Sequence, residues 1–219
     1  MSQVYSMLAS LLLVLTAMVT QCHCDDCDPT EIEKYFEEPP DAWKLVKESH
    51  DIFYLVYHSK NYEFDRDHFC LWALRNAIYS HEKKAQYTFH YWNDLERVTG
   101  SVTVYARKSD KAYEKENYFL VSDPEVGSTP AAKKETRPAK QSSGKRDGKT
   151  YQLLFTDYKS CAVLKSSYLG VQVWVTDTYL KTHNDVPYGC SLAYDLMADQ
   201  NKTIAYDWRK CGVFKHTEL

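Results

Sequence analysis

Past residue 24 this chain carries five cysteines, Cys27, Cys70, Cys161, Cys190 and Cys211, and their spacing limits what they can do. No two of them form a Cys-x-x-Cys pair, and no His-x-His or His-x-x-x-His pair stands near one, so neither a zinc centre nor a thiol catalyst is expected. The chain also lacks Gly-x-Ser-x-Gly, His-Glu-x-x-His and a glycine-rich phosphate loop, the arrangements that present a nucleophile or cradle a phosphate. The expectation is a protein that is not an enzyme and uses no cofactor or metal. What remains is the chemistry of a binding surface. Trp174 falls on one strand face with Gln172 and Thr176, opposite Val171, Val173 and Val175; a Trp beside a Gln suits a half-polar cavity better than a sealed core. Tyr54, Tyr57, Tyr62, Phe64 and Tyr105 are further candidates for lining such a cavity.

The elements that must position these residues are short strands. Segments 52–58, 69–79, 86–92, 98–106, 118–121, 151–156, 162–165 and 171–176 are rich in aromatic and β-branched residues and are separated by polar turns. In Val98-Thr99-Gly100-Ser101-Val102-Thr103-Val104 apolar and hydroxyl residues alternate, the period-two mark of a strand with two different faces. Many short strands at this spacing predict a sandwich or a barrel. Residues 31–46 are helix-compatible. Near the C-terminus Val186, Cys190, Ala193, Tyr194 and Met197 form a helical stripe, with Asn184 or Asp185 as its cap and Pro187 in its first turn.

The uncharged apolar run 8–19 is too short to span a bilayer, which takes about 20 residues, and reads as the core of a secretory signal covering 1–24. Export places the remaining cysteines in an oxidising compartment, where four of them close as two disulfides in one of three pairings and Cys27 is left over. Residues 25–219 then form one domain, expected to be an extracellular monomer, with Asn201 of Asn201-Lys202-Thr203 as a glycosylation site. The net charge of −3 gives no attraction to nucleic acid or to an anionic membrane. The segment 126–149 carries seven basic residues, two acids and no aromatic ring; it is expected to be a solvated insertion, since single-strand binding would need stacking side chains.

An N-terminal helical turn, about eight strands and one packed C-terminal helix outline a lipocalin-like, eight-stranded antiparallel β-barrel. Asp41-Ala42-Trp43-Lys44, Phe53-Tyr54-Leu55-Val56 and Asp67-His68-Phe69-Cys70, in that order, resemble the opening of the tick histamine-binding proteins, a family of salivary lipocalins. Leu95-Glu96-Arg97-Val98-Thr99, Cys161-Ala162-Val163-Leu164, Gly170-Val171-Gln172-Val173-Trp174 and Pro187-Tyr188-Gly189-Cys190 resemble later parts of the same family. The resemblance implies the bridges Cys70 to Cys211 and Cys161 to Cys190. It also implies a secreted protein that captures a small host mediator at the feeding site as a means of immune evasion, histamine or serotonin being the family default.

An ammonium is costly to bury unless a carboxylate pairs with it and aromatic rings contact its other faces. The family's pattern places acids where this chain has Ala162 and Gln172, and retains the Trp at Trp174. Glu96 is the acid that best matches the family, and either Asn61 or Asp65 stands at the position of its other acid. Fewer inward acids and a cationic rim favour a fatty acid or an eicosanoid such as a leukotriene as the alternative ligand. A host protein bound by the outer surface is the alternative from a different class.

Overall fold

The computed structural model describes residues 38–60, 69–93, 96–126, 149–198 and 201–211. Asn61, Tyr62, Phe64 and Asp65, the leader 1–24, Cys27 and residues 127–148 of the basic insertion lie outside them. In chain order the elements are α1 (Ala42–Glu48), β1 (Phe53–His58), β2 (Phe69–Tyr79), β3 (Lys84–Asn93), β4 (Glu96–Arg107), β5 (Tyr118–Val121) and β6 (Glu125–Val126). After the insertion follow β7 (Lys149–Thr156), β8 (Cys161–Ser166), β9 (Gly170–Thr176), α2 (Asp177–His183), α3 (Tyr188–Met197), β10 (Thr203–Ile204) and α4 (Trp208–Cys211).

Eight antiparallel strands close on themselves in the order β1-β2-β3-β4-β5-β7-β8-β9, with β9 returning to β1 through pairs such as Leu55 with Trp174. Closure leaves no open edge among these eight, and side chains alternate between lumen and exterior. The short β6 pairs onto the same edge of β4 as β5, at Gly100 and Ser101, and β10 pairs with β1 at Tyr57 and His58, beyond the pairs that β1 makes with β2. All eight barrel strands lie where the alternation and β-branched content place them. The two-residue strands β6 and β10 are too short to leave a pattern.

One end of the barrel is closed by α1. Its N-cap Asp41 accepts from the Lys44 amide at 2.9 Å, and Ala42 donates its amide to the Glu116 carbonyl at 2.7 Å. At the other end of the helix, Arg75 of β2 donates to the carbonyls of Val46 and Lys47, groups that no helical partner reaches. Ala42, Leu45 and Val46 are thereby buried against Ala85, Ala106, Phe119 and Leu153.

The exterior of β9 and β8 carries a second core. Val171, Val173 and Val175 pack with Cys190, Ala193 and Tyr194 of α3, as the strand-face reading predicts. The expected single helix is in fact two. Thr176 caps α2, and Asn184, in the left-handed region at φ 51°, ends it rather than starting the next helix. Pro187 stands at the cap of α3, one position before the helix proper. Of the expected stripe, Met197 is exposed at 41 %, because α3 has run past the strands by its last turn. Both expected bridges are present: Cys161 to Cys190 ties α3 to β8 and Cys70 to Cys211 ties α4 to β2.

Candidate ligand cavity

The lumen holds a cavity of about 360 Å³. Leu45, Val46 and Phe53 form its floor at the α1 end. Its walls come from Leu71 and Ala73 of β2, Tyr87, Phe89 and Tyr91 of β3, Val102 and Val104 of β4, and Phe119 and Val121 of β5. Tyr151, Ala162, Leu164, Gln172 and Trp174 complete the ring through β7, β8 and β9. Pro124, Lys149, Tyr168 and Leu169 stand at the opposite end, the mouth.

The polar groups inside are few and mostly satisfied. Gln172 is fully buried; it donates to the Ser166 hydroxyl at 2.9 Å and accepts from the Trp174 indole N–H at 3.2 Å. Its carboxamide is thus a fixed dipole with both ends engaged. Burial pushes the Tyr87 phenol up to about 12. Burial and then the neighbouring Tyr168 raise Tyr91 and Tyr151 as well, so these groups stay neutral and present O–H rather than O⁻. Lys149 is the one charged side chain among the described lining residues, its ammonium 4.5 Å from the Tyr168 ring centroid. No described carboxylate touches the cavity.

The expected site residues divide accordingly. Gln172 and Trp174 line the cavity, and so does Ala162, paired directly with Trp174 across β8 and β9. The positions at which the resemblance expects acids therefore do face the ligand space, and here they are neutral. Glu96 has the inward parity of Val102 and Val104, but it belongs to the terminal pair of the β3–β4 hairpin, opposite Asn93, and is exposed off the wall. Tyr54 and Tyr57 are not in the lumen. Tyr54 meets Tyr206 edge-on at 5.2 Å, and Tyr57 meets Tyr194 of α3 edge-on at 4.7 Å; both fill the outer core, because the C-terminal elements cover the exterior of β1. Tyr105 alternates outward from Val104 and carries the Arg107 guanidinium 5.0 Å from its ring. The sequence reading missed Lys149 and the ladder Tyr87, Phe89, Tyr91, whose period-two spacing is its own signal of an inward aromatic face.

A wider depression of about 670 Å³ runs along Lys60, Gln152, Lys165 and Met197. Its lining is as much polar as apolar, and it lacks the apolar enclosure that small-molecule sites use.

A closed eight-stranded antiparallel barrel, floored by a helix, opening at one end among the described residues and flanked outside by a disulfide-bonded helix, defines a lipocalin-like ligand-binding fold. The chain belongs to the tick histamine-binding protein family, whose model matches residues 31–213. Among solved structures it is similar to AM182 in its serotonin complex, with 16 % identity over 78 % of this chain and 92 % of that one and a TM-score of 0.53. Japanin from Rhipicephalus appendiculatus, bound to cholesterol, aligns at 14 % identity over 78 % of this chain and 99 % of its own, with a TM-score of 0.48. The siderocalin Ex-FABP aligns at 14 % identity over 73 % and 95 %, with a TM-score of 0.45. Comparison with curated protein sequences gives no match.

Proposed function

We propose that the protein is secreted and sequesters, without turnover, one small apolar host mediator with an anionic end, of the fatty-acid or eicosanoid class. The observation that carries this reading is the charge of the described lining: an apolar lumen with no carboxylate and a single ammonium, Lys149, at the mouth. A protonated amine in that lumen would lose its hydration without gaining a counter-ion, a cost of several kcal/mol. A carboxylate tethered at the mouth keeps water on one side and Lys149 on the other, while its chain covers apolar wall. The volume lies at the lower end of the range of about 300–1,000 Å³ typical of small-molecule sites, which suits one ligand.

Family membership and the Trp174 ring favour a second reading, capture of a biogenic amine; its counter-ion would come from outside the described lining, with Asp65 as the sequence's candidate. Calorimetry on the secreted protein with arachidonate, histamine and serotonin decides between the two. The first reading expects arachidonate to bind at one site, and Lys149→Met to weaken it by about 1 kcal/mol, the scale of a solvent-exposed ion pair. Tight binding of either amine with no uptake of the acid would overturn it.

A further inference from the structure

Across β2, β3 and β4 the luminal row at Phe89 reads Ala73, Phe89, Gly100. A side chain begun at Gly100 would run into the Phe89 ring at Cζ, lie 2.8 Å from its Cε1 and lie 3.0 Å from the Glu125 carbonyl. The Phe89 ring therefore occupies the space that a residue at position 100 would otherwise fill. Gly100 is buried and is not among the residues with positive φ, so its backbone imposes no demand for glycine. The demand comes from the ring. Phe89 also runs parallel to Tyr91, their planes 4° apart and centroids 6.2 Å apart, so the two rings lean the same way.

We infer that the Phe89–Gly100 pair is the size determinant of the ligand cavity: the ring lies back into the glycine gap, and the lumen over Ala73 stays open because it does. Any side chain at position 100 drives the ring toward Ala73 and into the lumen, since the only other direction is β4 itself. The chemistry selected is length and girth of an apolar chain, not charge. The inference rests on the cavity being the ligand site proposed above, but not on the ligand being an acid.

The test uses the full secreted protein, Gly100→Val, Phe89→Ala and the double variant, each titrated with straight-chain carboxylates from octanoate to hexadecanoate and with the n-alkanols of the same lengths. Gly100→Val is expected to weaken the longest members by at least about tenfold while changing the shortest by no more than about threefold. The double variant, in which no ring remains to be displaced, is expected to recover the long members. An equal loss along the whole series, or no recovery in the double variant, overturns the inference. If Gly100→Val does not fold, Phe89→Ala alone decides: it is expected to shift preference toward longer chains, and an unchanged length profile overturns the inference. Size-sorting of alkanols with no uptake of carboxylates would sink the anionic-ligand reading and leave this one standing. Uptake of neither series by the native protein would end both.

Discussion

Lys149, Gln172 and Trp174 all line the cavity, and only two of the three were legible in the sequence. Gln172 and Trp174 announce themselves by sharing a strand face opposite three valines. Lys149 reads as the last residue of a basic tract, and only the register of β7, where Tyr151 and Leu153 continue its face, turns it inward. The tyrosines failed in the opposite sense. Tyr54 and Tyr57 are aromatic residues in a strand buried on both faces, and the register shift between Leu55 and Tyr57 breaks the parity a reader would use. Their burial makes a measurable prediction. Burial first, and nearby acids second, push Tyr57 and Tyr194 from 10.0 up to about 12, and burial does the same to Tyr87. A folded-state value above the unfolded one means that the native state holds the proton more tightly. The associated stability is complete below about pH 10 and is lost as pH rises through about 12. Melting temperature should therefore be level up to about pH 10 and then fall steeply, with the phenolates of Tyr57, Tyr87 and Tyr194 appearing together with unfolding rather than before it. Ionisation of Tyr57, Tyr87 and Tyr194 in a still-folded protein near pH 10, followed residue by residue by NMR, would contradict this.

At the scale of elements, the barrel strands were legible because each alternates between a lumen and an exterior, and the alternation survives in β4 and β9 residue by residue. The helical end was less legible. The α2 helix begins at Thr176 directly from β9, and its start is a cap formed by a residue that also reads as the end of a strand. The insertion is a separate matter, since Val126 and Lys149 are themselves strand residues paired to Gly100 and Val121. The barrel's hydrogen-bonded ring is complete at those two positions. Replacing residues 127–148 by a short Gly/Ser linker should change unfolding free energy by no more than about 1 kcal/mol, since loop-closure entropy depends only weakly on length, and should leave ligand affinity intact. Denaturant titration of the two forms measures the first and calorimetry the second. A loss of several kcal/mol would mean that the tract supplies part of the core.

The described barrel is a cup whose outer helix and C-terminal turn are held by two cross-links, closing sequence separations of 29 and 141 residues, while no disulfide among the described residues ties its mouth. Cross-links of this length remove roughly 3 to 5 kcal/mol each from the unfolded ensemble in the chain-entropy account, so a rigid wall does not have to come from a filled lumen, and an apolar cavity can stay open for a guest. A guest that binds only the folded cup must stabilise it by mass action, by about 2.7 kcal/mol when present at a hundred times its dissociation constant. On the proposed reading, the charge of the lumen decides which guests do so. Arachidonate should raise the melting temperature in a concentration-dependent way and appear as one molecule per chain by native mass spectrometry. Histamine and serotonin should leave the melting temperature unchanged, because the described wall gives their ammonium no partner. Glu96→Gln tests the same reasoning from the acid that matches the family best: standing exposed at the end of the hairpin, off the wall, it should alter neither response by more than about 0.5 kcal/mol, the scale of an ordinary surface substitution. An amine-induced shift that disappears in Glu96→Gln would put the hairpin tip into the site and return the ligand to the amines.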